Sequence, residues 1–167
     1  AAQLHAAIDD ESVELIAIAS GTYVLAEELY IRRNVTIVGE GPTVTLDAAA
    51  SLQTPRRILR IAANASVEVH NLTLTSAYTL RGSDPGSGAV ANEGTLRIYG
   101  CTITNSTSFS GAAIFSSGTL MLSQCIFSHN YAEGWNAAVY VYAGSTAEIR
   151  GCVFEYNENG GLDTHGS

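Results

Sequence analysis

A short sequence pattern recurs three times between Val90 and Tyr156, and this recurrence limits the folds open to the chain. The copies read AVANEGTLRIYGCTITNS, AIFSSGTLMLSQCIFSHN and AVYVYAGSTAEIRGCVFEYN. Their equivalent branched residues are Val90, Ile114, Val139 and Leu162, which lie 24, 25 and 23 residues apart. A fixed period of roughly 20 to 50 residues is the sequence signature of solenoids and other repeat architectures.

Each copy contains three short segments that predict strands. TLRIY, TLMLS and TAEIR alternate apolar with polar or small residues, as do CTIT, CIFS and CVFE. One residue separates these two segments in each copy, and a left-handed backbone there would make a sharp corner. Asn and Gly adopt that backbone at little cost, whereas Gln does not. The corner positions of the three copies are Gly100, Gln124 and Gly151, and Asn71 holds the same place in a fainter upstream copy, VEVHNLTLTSA.

The third segment of each copy carries small residues before a branched one, as in GAAI, NAAV and GGL. Three strands and three corners in about 24 residues predict one coil of a right-handed parallel β-helix. Leucine-rich repeats need a Leu and Asn ladder that the copies lack, and a propeller blade needs about 40 residues. One coil cannot bury enough apolar surface to stand alone, so neighbouring coils must share a core.

Stacking the copies in register predicts four inward columns. Their members are Leu72, Cys101, Cys125 and Cys152; Leu74, Ile103, Phe127 and Phe154; Val67, Leu96, Leu120 and Ala147; and Val69, Ile98, Leu122 and Ile149. The cysteine spacing equals the repeat period and is not a metal-ligand spacing. We therefore expect all three cysteines to be reduced and buried, and we predict neither a metal nor a cofactor.

The copies resemble the right-handed β-helix repeats of the pectin-lyase-like superfamily. More narrowly, they are similar to the repeats of polymorphic outer-membrane proteins, which are marked by GGA followed by Ile, Leu or Val, and by FxxN. GAAI, FSHN and FEYN match these motifs closely. The resemblance implies a β-helix fold, and the enzymes it suggests are polysaccharide lyases and hydrolases.

The residues before the repeats predict a cap and entry coils. Gln3 to Ile8 reads as a short amphipathic helix that would cover the open end of the core. Val13 to Ala19 and Thr43 to Asp47 read as strands. The entry coils would point Leu29, Ile31, Val35 and Ile37 inward. We expect a single β-helix domain spanning residues 1–167, and because GLDTHGS starts a new coil and stops, we expect it to belong to a longer solenoid.

The charge balance excludes one class of partner. The chain has a formal net charge of −8, from eight arginines, no lysine and sixteen acidic residues. A protein that binds nucleic acid backbones needs a basic face, so we predict no nucleic-acid partner. No apolar run reaches the length of a membrane-spanning segment.

Four N-x-S/T sequons suggest a secreted glycoprotein, and therefore an extracellular or cell-surface location. The alternative is chance, because β-helices are rich in Asn, Ser and Thr. The candidate acceptors are Asn34, Asn64, Asn71 and Asn105.

Outward-facing aromatic and aliphatic residues are the candidate binding surface. Rings on a flat sheet can stack on sugars or anchor a protein partner, and exposed apolar neighbours often mark a contact surface. The alternative is that a loop folds back over them. The candidates are Phe115, Tyr140, Tyr142, Trp135, Ile126 and Val153.

The pattern of carboxylates predicts no catalytic residues. Two outward columns read Glu68, Arg97, Met121, Glu148 and His70, Tyr99, Ser123, Arg150, and neither places two carboxylates side by side. Our leading hypothesis is an extracellular or cell-surface structural or adhesive module that binds protein partners or glycans through its outer faces, alone or as part of a larger assembly. The alternative is a carbohydrate-active enzyme, a lyase or hydrolase, whose catalytic coils lie partly outside residues 1–167.

Overall fold

The computed structural model describes residues 2–83, 88–135 and 138–164, which form about five turns of a right-handed parallel β-helix. The predicted fold is therefore confirmed. A single helix, α1 (Ala2–Asp9), precedes the coils and buries Leu4 and Ile8, as the predicted cap requires.

Eighteen strands follow the helix among the described residues. They are β1 (Leu15–Val24), β2 (Leu29–Ile31), β3 (Val35–Asp47), β4 (Leu59–Ile61), β5 (Ser66–His70), β6 (Thr73–Thr75), β7 (Val90–Asn92), β8 (Thr95–Tyr99), β9 (Thr102–Thr104), β10 (Thr107–Ser110), β11 (Ile114–Ser116), β12 (Thr119–Ser123), β13 (Ile126–Ser128), β14 (Tyr131–Trp135), β15 (Val139–Val141), β16 (Thr146–Arg150), β17 (Val153–Glu155) and β18 (Leu162–Thr164). The two predicted entry strands correspond to β1 and to the second half of β3.

The strands stack into three faces. The first face joins β3, β5, β8, β12 and β16, and the second joins the end of β3 to β6, β9, β13 and β17. The third face is the six-stranded sheet of β2, β4, β7, β11, β15 and β18. β1 runs alongside the whole of β3, and β10 pairs with β14 beside the corner that follows the second face.

Strict register places equivalent residues of successive coils above one another. Val67, Leu96 and Leu120 are paired in this way and fully buried, as the predicted inward columns require. The last described coil differs because a neighbouring coil covers it on one side only. There, Ala147 is exposed and Ile149, Cys152 and Phe154 are partly exposed.

The predicted corners have the left-handed backbone. Asn71, Gly100, Gln124 and Gly151 have φ angles of 54°, 59°, 55° and 58°. Gln124 therefore adopts the same conformation as the two glycines, although its side chain disfavours it. The position of this residue in the repeat outweighs its intrinsic preference.

All three cysteines are free, as predicted. Cys101 and Cys125 are buried, and burial raises the pKa of their thiols to about 12 and about 11. The prediction that Cys152 is buried was wrong, because this residue lies in the coil that is covered on one side only.

Arg33, which the sequence pattern does not mark, connects the helical cap α1 to the coils through hydrogen bonds. Arg33 Nε donates a hydrogen bond to the carbonyl oxygen of Ile8 at 2.7 Å, and Nη2 donates to that of Ala7 at 2.8 Å. Carbonyls in the last turn of a helix lack partners within the helix, and a cation is favourable at this end. Arg33 thus stabilises the carboxyl end of α1.

Candidate contact faces

The predicted aromatic cluster lies on the third face. Phe115 pairs with Tyr140, and Tyr140 with Asp163, in the outward column of β11, β15 and β18. The rings of Phe115 and Tyr140 stack with centroids 5.6 Å apart, and Tyr142 is tilted against Phe115 at 6.3 Å. The structure therefore brings these three predicted residues together.

The side chains of this cluster pack mainly against one another. Tyr140 points outward, but only 4% of it is exposed, so the expectation that it offers open surface does not hold. Burial raises the pKa of Tyr140, and the nearby Asp163 carboxylate adds to this effect. Phe115 is half-buried, whereas Tyr142 is 53% exposed. Of these three residues, Tyr142 is the most exposed.

Trp135, another candidate binding residue, ends strand β14, where its backbone pairs with that of Ser110. Its side chain lies outside the described part of the structure.

The other end of the third face carries a charged cluster that the sequence pattern did not mark. The guanidinium carbons of Arg32 and Arg60 lie 4.4 and 4.7 Å from the ring centroid of Tyr30. Arg60 also lies 3.4 Å from a carboxylate oxygen of Glu93. A cation over an aromatic face is attracted to the ring, so Arg60 and Tyr30 stabilise the contact between adjacent coils. The inward assignment of Leu29 could have located Tyr30, because adjacent residues of a strand face opposite ways.

The second face changes character along the solenoid. Its outward column reads Thr22, Thr45, Thr73, Thr102, Ile126 and Val153. Ile126 and Val153 are direct neighbours, as predicted, and are 40% and 48% exposed. Threonine is thus replaced by exposed aliphatic side chains at the equivalent outward positions of the last two coils.

The adjoining corner changes in the same way. Ser76, Asn105, His129 and Tyr156 occupy equivalent left-handed positions, with φ angles between 52° and 59°. The rings of His129 and Tyr156 stack at 5.2 Å, and Tyr156 is 74% exposed. We name Ile126, Val153, His129 and Tyr156 the contact patch. The strand alternation does not mark His129 or Tyr156, although the FxxN motif places both at the same position in the repeat.

The first face is polar. Glu68 lies 3.4 Å from the ring nitrogen of His70 and 3.9 Å from Arg97. Glu68 and Glu148 share an outward column but are three coils apart, or about 14 Å at the usual strand spacing. Paired glycosidase carboxylates are about 5 to 9.5 Å apart. Among the described residues, no group of three or more His, Cys, Asp and Glu side chains could hold a metal ion.

All four sequon asparagines are exposed. The side chain of Asn34 is hydrogen-bonded within the chain: its oxygen accepts from the backbone nitrogen of Ser66 at 2.9 Å. Asn71 and Asn105 have left-handed backbones, and Asn64 lies in a turn.

Within the described ranges, no helix combines the length and apolar character needed to cross a membrane. No curated protein and no solved structure matches the chain. A family model described as right handed beta helix region matches residues 57–167. This span includes most of the three faces and the whole contact patch. The chain therefore belongs to the right-handed β-helix family.

Proposed function

We propose that this chain is a non-catalytic structural or adhesive module that acts outside the cell or at its surface and binds a protein partner through the contact patch. One observation carries the proposal. At outward positions where earlier coils carry Thr, Ser and Asn, the coils of β13 and β17 expose Ile126, Val153, His129 and Tyr156. The fold tolerates hydroxyl and amide side chains there, so the β-helix itself does not require apolar ones.

The chemistry of the patch favours a protein partner. Covering an exposed Ile or Val contributes roughly 1 kcal/mol when about half of the side chain was open. Tyr is among the residues that dominate binding energy at protein interfaces. Glu155 lies in the same strand as Val153, so the partner surface should combine apolar side chains with a basic residue.

The extracellular location is supported by the exposure of all four sequon asparagines. The narrower resemblance to the pectin-lyase-like superfamily and to polymorphic outer-membrane protein repeats belongs to this proposal as well. It agrees with a surface role, since the FSHN and FEYN motifs both end in the coils that carry the patch.

Binding experiments with matched variants test the proposal. The purified chain is immobilised and incubated with proteins released from the surface of the source cells. We expect a partner to be retained by the wild type and by a Thr73→Glu, Thr102→Glu control, and lost with Ile126→Glu, Val153→Glu. The control adds the same charges to the same column on preceding coils. Equal retention by both double variants would contradict the proposal.

A second assay addresses the enzymatic alternative. The purified chain is incubated with polyuronates and with neutral polysaccharides, and new reducing ends or unsaturated products are measured. We expect none. Turnover that is lost on changing Glu155 or Asp163 would show that the module is catalytic.

A further inference from the structure

An aromatic ladder on the first face stops after two rings. His70 and Tyr99 are equivalent residues of adjacent coils, and their rings stack with centroids 4.8 Å apart at an angle of 19°. That spacing equals one coil step of a parallel sheet. The next position in the column is Ser123, and the one after it is Arg150.

The short side chain of Ser123 leaves a hollow where a third ring would stack. The hollow has a volume of about 190 Å³, and Tyr99, Met121, Ser123, Glu148 and Arg150 are among its lining residues. Tyr99 and Arg150 are two coil steps apart, or about 9.6 Å. One ring layer fits between the tyrosine ring and the arginine.

We propose that this hollow binds one neutral hexopyranose ring, which stacks on Tyr99 and completes the ladder. The rim provides the complementary polar groups. Glu148 and Arg150 form an ion pair, so together they offer acceptors and donors without net charge. Ser123 contributes a hydroxyl group that can donate and accept. Vicinal sugar hydroxyls suit such a pair, whereas a purely aromatic ligand would leave the ion pair unused.

The volume of the hollow and the charges that line it restrict the ligand. Pockets for drug-sized ligands begin at about 300 Å³, so this hollow accommodates a single ring or the end of a chain. A carboxylated sugar would compete with Glu148 for the guanidinium group of Arg150, which disfavours uronates. The site lies on a different face from the contact patch, so this inference does not depend on the proposed function.

The chain contains one methionine, and it lines the hollow. Labelling the methionine methyl group with ¹³C therefore provides a local probe of Met121, which a Met121→Leu variant assigns. Methyl β-D-glucopyranoside and methyl β-D-galactopyranoside are titrated into the labelled protein. We expect a saturable shift of the Met121 methyl signal, with a dissociation constant of about 1 mM for at least one sugar.

Two substitutions test the mechanism. Ser123→Tyr should fill the hollow with the missing third ring and abolish the shift without lowering the melting temperature. Ser117→Tyr places the same residue at an exposed serine in the bend that follows β11 and should leave binding unchanged. Tyr99→Leu should weaken binding at least tenfold.

Three outcomes would overturn the proposal. The first is the absence of a shift with both sugars up to 50-fold above the expected constant of about 1 mM. The second is undiminished binding by the Ser123→Tyr variant. The third is a shift with phenol or indole but not with either pyranoside, which would mean that the hollow accepts planar aromatic rings instead of sugars.

Discussion

Asn157 accepts two hydrogen bonds from Asn130 of the preceding coil. Its side-chain oxygen lies 3.0 Å from the backbone nitrogen and 3.0 Å from the side-chain nitrogen of Asn130. Asn130 in turn donates to the carbonyl oxygen of Ile103 and accepts from the backbone nitrogen of Ser106. These residues end the FSHN and FEYN motifs, so the motif asparagine links three coils inside a buried corner.

Replacing Asn130 should therefore be costly. Asn130→Ala removes the side-chain partner of the Ser106 amide and of the Ile103 carbonyl in the preceding coil, and one donor to Asn157 Oδ1 in the next. Each buried group left unsatisfied costs about 1 to 3 kcal/mol. We expect the free energy of unfolding to fall by roughly 3 kcal/mol in urea denaturation. Asn64→Ala, at an exposed turn, should change it by less than about 0.5 kcal/mol. Similar small losses of unfolding free energy in both variants would contradict the role of Asn130 in linking the coils.

A substitution at the Gln124 corner should stabilise the protein. A non-glycine residue in the left-handed region destabilises the folded chain by about 1 to 2 kcal/mol. Replacing it with glycine removes this strain, but the greater conformational entropy of glycine in the unfolded chain offsets about 0.5 to 1 kcal/mol of the gain. Gln124→Gly should thus raise the free energy of unfolding by up to about 1 kcal/mol. Gly151→Ala, at the equivalent corner one coil later, should lower it. A destabilising Gln124→Gly would show that the glutamine side chain makes a compensating contact.

The buried thiols should make stability depend on alkaline pH. Burial raises the pKa of Cys101 from 9.0 to about 12 and that of Cys125 to about 11. Above pH 9 the unfolded chain releases these protons while the folded chain keeps them. The stability is therefore fully present below pH 9 and declines as the pH rises toward 11 to 12, by roughly 1 kcal/mol per pH unit for each thiol. Urea denaturation at pH 8, 9 and 10 measures this slope.

The double variant Cys101→Ala, Cys125→Ala is the control for that measurement. It should be less stable at pH 8, because two buried side chains are shortened, yet its slope between pH 9 and 10 should be much smaller. An unchanged slope would mean that other groups cause the pH dependence.

The aromatic residues of the third face should separate into structural and accessible ones. Tyr140 is packed between coils, so Tyr140→Ala should lower the free energy of unfolding by roughly 3 kcal/mol. Tyr142→Ala removes an exposed ring and should cost less than about 1 kcal/mol. Equal effects in thermal denaturation would contradict this division.

The repeat period and alternation were sufficient to predict the coil, the inward columns and the corners, because the fold imposes one register on every copy. Gln124 was assigned correctly despite its poor local propensity, since position in the repeat carries more information than residue type. The cap contact of Arg33 was not predictable, because it joins residues 25 and 26 positions apart outside the repeats.

The direction of the outward residues followed from the same register, but their exposure did not. Tyr140 points outward and is nevertheless buried, because Phe115 packs on its ring and the backbone at Gly111 leaves no room for a side chain beside it: a Cβ at position 111 would lie 2.9 Å from Tyr140 Cβ. The His129 and Tyr156 pair was missed because strand alternation does not apply to a left-handed corner, where the chain turns between two faces.

The most direct test of the contact patch compares its accessibility in the isolated chain and in its native assembly. Hydroxyl-radical footprinting with mass spectrometry measures the oxidation rate of individual side chains. In the purified chain, Ile126, Val153, His129 and Tyr156 should all be oxidised readily. In the native assembly, we expect at least a fivefold reduction at these four residues, while Tyr142 on the third face is unchanged. Equal oxidation of the four residues in both states would show that the patch is bare in the assembly and would contradict the proposed function.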